Sequence, residues 1–476
     1  MPRTRKGAGI SRRKSALLTT GSKEFDNIIG GGIPKGSFLV ALGHPGAGKT
    51  TFVAKMIYEN MRIKRIKGIY ISFAETKSKF YKFMKNLGMD FEKMEKKGLF
   101  KFVYTPTISS KNLAGMFSET MVKEVVNFGA EMLVIDSITP LLKAFGEKIK
   151  AREYLHSGIY QLTEVLNVTA ILIADLPWGE ETIDLGGIEF VADAVLVFKT
   201  KIENGLLTRR IEIRKMRGSS IPLAEIPFSI VKGVGVRMFI PPMLGEIPAF
   251  KRKEIYKIGC KELDDGLGGI PQGAQVAIIY PPGLNTPDIV YAFLADLMVK
   301  NNLRTLVISY TFPGKVIVDR IIKAAESYGL DTNKVKKLII GTYSFNPTQY
   351  SVPELVGHEL TIIEKLKPNM LIMHGLRTVM DVATTKKVTM YQFNAVQIYK
   401  KLGIIGVRLI RADFPQEYIP TVEYSDVVLV IKYVGTKDSD FKLNYIAWKT
   451  LRKKPKMLNT EELEKCINKV SRRHNN

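Results

Sequence analysis

The chain has 476 residues, of which 45% are hydrophobic; that length exceeds one ordinary core and suits two domains of a folded, soluble protein. Its 71 Lys and Arg against 46 Asp and Glu give a formal charge of +25, an excess that attracts polyanions and makes nucleic acid the first partner to weigh, beside the plainer reading of a Lys-rich solvated surface. No apolar run approaches the roughly 20 residues of a membrane span, the charged start from Met1 to Lys14 leads into no apolar segment, and Cys260 and Cys466 are too few and too far apart for a disulfide framework or metal site; membrane and secreted classes are set aside, and a cytoplasmic location is expected.

In chain order, the first feature is an arm without acids that carries Arg3, Arg5, Lys6, Arg12, Arg13 and Lys14. Ser37 to Leu42 then reads as a buried strand and Thr51 to Ile57 as the start of a helix. Between them, Gly43-His44-Pro45-Gly46-Ala47-Gly48-Lys49-Thr50, followed by Thr51, fits the G-x-x-x-x-G-K-[ST] phosphate-binding pattern. The chemistry follows from the placement. The first N–H groups of a helix have no partner within it and face an anion, and small residues at 46 to 48 let the backbone wrap a β-phosphate. Lys49 brings an ammonium to the β and γ oxygens, and the Thr50 hydroxyl suits Mg²⁺. A nucleoside triphosphate is the expected ligand.

Further strand candidates are Gly68 to Phe73, Leu133 to Ile135, Ala170 to Ala174 and Ala194 to Phe198, short apolar runs alternating with more polar helical stretches. This pattern predicts an α/β fold with a mostly parallel sheet covered by helices on both faces, and ligands beyond the carboxyl ends of its strands. A Pro-rich seam from Pro241 to Pro248 follows, and after it the chain repeats itself. Gly21-Ser22-Lys23-Glu24-Phe25-Asp26 recurs as Gly259-Cys260-Lys261-Glu262-Leu263-Asp264, Gly32-Ile33-Pro34-Lys35-Gly36 as Gly269-Ile270-Pro271-Gln272-Gly273, and Val191 to Val197 as Tyr424 to Val430. The expected division is a basic arm over 1–18, a first domain over 19–245, a second over 246–455 and a basic tail over 456–476. Lys449, Arg452, Lys453, Lys454 and Lys456 cluster near the end and read, like the arm, as polyanion contacts rather than core.

Thr20 to Asp26, Gly30 to Gly36 and the phosphate loop together closely resemble the RecA superfamily and, within it, the KaiC-like ATPases; Gly187 to Asp193 and Lys215-Met216-Arg217-Gly218-Ser219-Ser220 match signatures of the same group. The likeness covers nearly the whole chain and implies two tandem RecA-like domains, with ATP and Mg²⁺ as cofactors. It makes Asp136, after Leu133-Val134-Ile135, the Walker B carboxylate that joins Thr50 at the metal. Members carry paired Glu residues after the second strand. Here Tyr70-Ile71-Ser72-Phe73-Ala74-Glu75 keeps only the second, so Glu75 is the surviving candidate base and slow hydrolysis is implied. Lys215 and Arg217 occupy the place of a Lys-x-Arg pair that reaches a neighbouring subunit's γ-phosphate, which implies a homo-oligomer, a hexameric ring in the family.

The second copy lacks these parts. Tyr280-Pro281-Pro282-Gly283-Leu284-Asn285-Thr286-Pro287 stands at the loop position without the lysine, His374 stands where Asp136 does, and Ile308 to Phe312 contains no carboxylate. It reads as a degenerate pseudo-ATPase domain, which argues against a clock-type autokinase. RecA-type recombinases hold DNA on two loops, and the chain is divided on this point. The stretch from Leu141 to Arg152 is basic, with Lys143, Lys148, Lys150 and Arg152, whereas Leu176 to Leu185 has three acids, no base and Trp178. Three roles remain open: a slow ATPase whose nucleotide state sets ring assembly and partner or nucleic-acid binding, a DNA-binding accessory factor in recombination or repair, and a non-hydrolysing ATP-gated scaffold meeting an acidic protein partner.

Overall fold

The computed structural model describes residues 17–105, 113–139, 157–176, 188–203, 205–238, 254–258, 261–281, 287–383, 385–412, 421–435, 441–449 and 455–471. The chain divides into two compact units, Met1–Ile240 and Pro241–Asn476.

In the first unit, β1 (Leu17–Leu18) and β2 (Ile33–Pro34) form a small antiparallel pair around α1 (Lys23–Ile28). A nine-stranded sheet follows, built from β3 (Phe38–Gly43), β4 (Gly68–Ser72), β5 (Phe100–Tyr104), β6 (Met132–Asp136), β7 (Thr169–Asp175), β8 (Ala194–Glu203), β9 (Leu206–Met216), β10 (Glu225–Val231) and β11 (Gly235–Met238). Its order is β11-β10-β9-β8-β3-β7-β6-β4-β5, parallel from β5 to β8 and antiparallel beyond. β3, β4 and most of β6 and β7 are buried throughout because helices cover both faces, so their sequences are continuous Val, Ile and Leu runs. One face packs on α2 (Lys49–Lys64), α3 (Lys77–Asn86) and α4 (Phe91–Lys96), through Phe52, Ile57, Phe80 and Phe91; the other buries Ile69, Leu133, Leu172 and Met121, the last from α5 (Leu113–Phe128).

The second unit repeats the plan. β12 (Ile255–Tyr256) pairs with β13 (Ile270–Pro271) as β1 does with β2. An eight-stranded sheet comprises β14 (Gln275–Tyr280), β15 (Thr305–Ser309), β16 (Ile339–Ser344), β17 (Met370–His374), β18 (Ile405–Arg411), β19 (Val427–Gly435), β20 (Phe441–Lys449) and β21 (Lys456–Asn459). The order β16-β15-β17-β18-β14-β19-β20-β21 reproduces β5-β4-β6-β7-β3-β8-β9-β10 strand for strand. Both sheets are mostly parallel and flanked by helices, so the fold is two tandem RecA-like α/β units.

The repeated sequence signatures are structural ties. Asp26 Oδ1 accepts the Thr20 N–H at 2.7 Å, and Asp264 Oδ1 accepts the Ile258 N–H at 2.8 Å, each securing the strand-to-helix corner that precedes its sheet. Asp193 Oδ2 accepts the Phe38 N–H and Asp426 Oδ2 the Gln275 N–H, both at 2.9 Å. Each carboxylate thus fixes the first residue of its central strand.

The C-terminal cluster departs from the expected tail. Lys449 closes β20 and Lys456 opens β21, which pairs with β20 and leads into a helix, Thr460–Ser471, with Leu458 and Leu463 in the core. Leu458 and Leu463 seat the segment after Lys456 on the sheet edge, while Arg452, Lys453 and Lys454 lie outside the described residues. The N-terminal basic residues lie outside the described residues. Among the described residues, no helix is long and apolar enough to cross a membrane.

Candidate nucleotide site

The phosphate-loop sequence leaves β3 at its carboxyl end and enters α2. Gly46 and Gly48 hold φ of 77° and 100°, a region that favours glycine, and an added Cβ at Gly46 would meet nothing within 4 Å. Gly48 is the N-cap of α2 and offers no side-chain cap, and the first turn of this 16-residue helix carries no acid. Its leading N–H groups therefore have neither a capping side chain nor a neighbouring negative charge of their own turn, the condition under which a helix start takes an anion.

Lys49 is buried, at 5% exposure, with its ammonium held at 2.6 Å from the Gly43 carbonyl and 3.0 Å from that of His44. It also lies 2.9 Å from Asp175 Oδ1, at the end of β7. Thr50 Oγ1 donates to Asp136 Oδ2 at 2.8 Å, and the Tyr70 hydroxyl donates to the same oxygen at 2.6 Å. Burial pushes the Asp136 carboxyl above its ordinary pKa, against the bonds from Tyr70 and Thr50, which favour the ionised form. Burial and the adjoining Asp136 push the Tyr70 phenol well above its ordinary value, so it is a donor. The loop lysine, the hydroxyl after it and the strand-end carboxylate, predicted from separate stretches of sequence, come together at the carboxyl ends of β3, β6 and β7.

Glu75 sits in the turn after β4, where its N–H donates to Ser72 Oγ at 2.9 Å. Its Oε2 is buried without a hydrogen-bond partner, and burial, then the charge of Asp136, raises its pKa, with Lys79 opposing. Glu75 is thus near enough to Asp136 to feel its charge. Ala74 is exposed and supplies no carboxylate.

Lys215 and Arg217 are not part of this cluster. Gly43 pairs with Phe198, and Phe198 with Ile211; Lys215 lies four residues further along β9, toward the end at which β3 begins. Across a bulge in β9, Lys215 pairs with Val195 and Val195 with Val40, three residues before Gly43, so it stands about 10 Å along the strand from the level of the phosphate loop. Lys215 Nζ donates to the Phe190 carbonyl at 2.7 Å, and Arg217 donates to the same carbonyl at 3.3 Å and to Asp193 Oδ1 at 3.4 Å. Burial and the Arg217 charge lower the Lys215 pKa. Lys143, Lys148, Lys150, Arg152 and Trp178 lie outside the described residues.

Two residues at the site escaped the sequence reading. Asp175 had a signal, since Ala170 to Ala174 ends in an Asp just as Leu133 to Ile135 does, on the neighbouring strand. Tyr70 had a weaker one, a phenol hydroxyl at the centre of a mostly apolar strand.

In the second unit, Ser309 pairs with His374 as Ser72 pairs with Asp136, which puts His374 at the level of the Walker B residue. It is buried, tilted against Phe312 with ring centroids 5.7 Å apart, and burial followed by the Arg320 charge lowers its pKa to about 4. The imidazole is therefore neutral near pH 7. Pro287, at the Thr50 position, precedes the helix Asp288–Asn301 and supplies neither hydroxyl nor N–H; residues 282 to 286, with Asn285 and Thr286, lie outside the described residues. The helix Val352–Leu366 carries a buried polar group of another kind: Glu359 accepts from the hydroxyls of Tyr310 and, at 3.2 Å, Tyr399, and burial raises its pKa to about 7. Arg408, also fully buried, donates to Gln275 Oε1 at 2.9 Å and lies 5.1 Å from the Tyr424 ring centroid.

A two-unit RecA-like α/β chain whose first unit joins a phosphate loop to a strand-end carboxylate is a P-loop nucleotide-binding protein in class. The family model for the KaiC ATPase matches residues 18–242. Over most of its length the chain is 25% identical to the circadian clock protein KaiC3 of Synechocystis sp., covering 88% of this chain and 84% of that protein, and 23% identical to the circadian clock oscillator protein KaiC of Prochlorococcus marinus, covering 90% and 87%. It is 26% identical to the KaiC of Synechococcus elongatus over 53% of this chain and 50% of that one. Its first unit, which the family model spans, is a KaiC-like ATPase domain of the RecA superfamily, and the chain as a whole is similar to KaiC proteins over most of its length.

Proposed function

We propose that the first unit binds ATP with Mg²⁺ and hydrolyses it slowly, and that the nucleotide state governs assembly of a ring and engagement of a partner or nucleic acid. The observation that carries this reading is the convergence of buried Lys49, the Thr50–Asp136 pair and the uncapped start of α2 at one sheet end. These residues fit a cation and a triphosphate: Thr50 and Asp136 would hold Mg²⁺ with waters completing its shell, and when bound the cation would neutralise charge on the β and γ phosphates. The N–H groups of the loop and of Lys49, Thr50 and Thr51 receive phosphate oxygens, and Lys49 exchanges its carbonyl partners and Asp175 for the γ-phosphate. Glu75 takes the proton of the attacking water through its unpartnered Oε2. Lys215 and Arg217, too far along the sheet to serve their own loop, are available to a neighbouring subunit, where two cations facing a γ-phosphate stabilise its transferring charge.

The second unit, with His374 for Asp136 and Pro287 for Thr50, is read as a pseudo-ATPase domain serving assembly or partner binding. The non-hydrolysing scaffold is favoured by one observation, exposed Ala74 where the family's first Glu stands. Calorimetric titration with ATP and Mg²⁺, paired with turnover, tests both readings. Wild type should bind about one nucleotide per chain and Lys49→Ala none. Binding without turnover selects the scaffold, and equal binding by Lys49→Ala removes the site.

A further inference from the structure

The Tyr70 hydroxyl is a group that the phosphate-loop pattern does not call for. Its ring is fully buried on β4, 4.6 Å from Phe80 and stacked on Phe102 at 5.8 Å between centroids, a cage that a phenylalanine ring would fill equally well. A hydroxyl in such a place costs free energy unless it finds a partner, and its partner is Asp136 Oδ2 at 2.6 Å. The same oxygen receives the Thr50 hydroxyl at 2.8 Å. Thr50 carries one proton and two lone pairs, so it can donate to Oδ2 and still face a cation; Tyr70 adds a second donor to the same oxygen, one held by the aromatic core.

We propose that Tyr70 is a positioning residue for the cation site: its O–H ties Asp136 Oδ2 to the aromatic core, so that the carboxylate keeps one orientation with the cation bound or absent. This rests on the reading of the first unit as an ATP and Mg²⁺ site and adds a residue from outside the loop and the Walker B strand. The role is that of an outer partner of a ligating carboxylate, whose loss elsewhere weakens metal affinity tenfold or more.

Tyr70→Phe removes one oxygen and leaves the ring. ATP affinity is measured in EDTA and across a Mg²⁺ titration, with thermal unfolding as the check on packing. The expected result is an affinity in EDTA within about twofold of wild type and a Mg²⁺-dependent gain reduced by roughly tenfold, with the half-maximal Mg²⁺ concentration raised to match. Asp136→Asn should lose the gain, and adding Tyr70→Phe to it should change nothing further. A Mg²⁺ response unchanged in Tyr70→Phe, or a loss of equal size with and without Mg²⁺, overturns the proposal, the latter because a packing defect acts on both. Wild-type protein that binds no nucleotide overturns the site reading as well, so the two failures are distinguishable.

Discussion

Glu75 and Asp136 are two carboxylates close enough for each other's charge to be felt, and they differ in what they touch. Asp136 receives two hydroxyl donors at one oxygen, whereas Glu75 presents an oxygen with none. The first arrangement holds a group still and the second leaves it able to take a proton. Glu75→Gln should therefore keep ATP binding within a few-fold of wild type and slow turnover by about a hundredfold or more; a steady-state phosphate-release assay beside a binding titration reads both, and unchanged turnover removes Glu75 from the mechanism. Legibility at this scale followed chemistry. Lys49, Thr50 and Asp136 sit in a local pattern tied to strand ends, so the sequence revealed them. The Lys49–Asp175 pair joins residues 126 positions apart through sheet order alone, and nothing local to Lys49 announces Asp175.

Among the elements, the paired ties at Asp26 and Asp264 act on packing rather than on ligand. Asp26 is buried and also accepts from the Thr19 and Thr20 hydroxyls, so Asp26→Ala strands several donors and should cost on the order of 1 to 3 kcal/mol in denaturant unfolding of the first unit. Glu359 gives a second element-scale expectation, in the helix Val352–Leu366 that covers β15. Its folded-state pKa of about 7 stands above the ordinary 4.5, so the folded form holds the proton more tightly than the unfolded form. The stability this contributes is fully present below about pH 4.5 and is lost as pH rises through about 7, on the order of 3 kcal/mol across that window. Glu359→Gln, which cannot ionise, should flatten that part of the stability profile; melting curves of both proteins from pH 5 to 8 measure the difference, and parallel profiles refute it. The parallel strands were legible because burial on both faces writes them as apolar runs. β5, β9 and β11 were not, since Lys101, Arg209, Arg210 and Arg237 interrupt their apolar residues where one side meets water or an ion pair.

Across the whole molecule, the sheet registers set Lys215 and Arg217 apart from the level of the phosphate loop of their own chain, and the proposed function gives them a γ-phosphate on a neighbouring subunit. Arg217→Ala should bind ATP normally and turn it over at most about a thousandth as fast, and Lys49→Ala should be inactive for a different reason. Mixing the two inactive variants should restore measurable turnover in assemblies where an intact loop meets an intact pair; no recovery at any ratio would place the pair outside the mechanism. The charge of +25 belongs to this scale as well. If phosphate contacts dominate, affinity for single-stranded or duplex DNA should fall steeply between about 50 and 200 mM salt in an anisotropy titration. Flat dependence returns the charge to a solvated surface or an acidic protein partner.

The strand-for-strand duplication turns the chain into its own reference. Asp26, Asp193 and the glycines and prolines near them persist in both halves, so they are the vocabulary of folding; Lys49, Thr50, Asp136 and Glu75 survive in one, and the proposed function makes them the vocabulary of the ligand. Comparing one molecule with itself thus sorts architecture from chemistry, and it tells an engineer which positions of the later half can be rewritten freely and which must be copied.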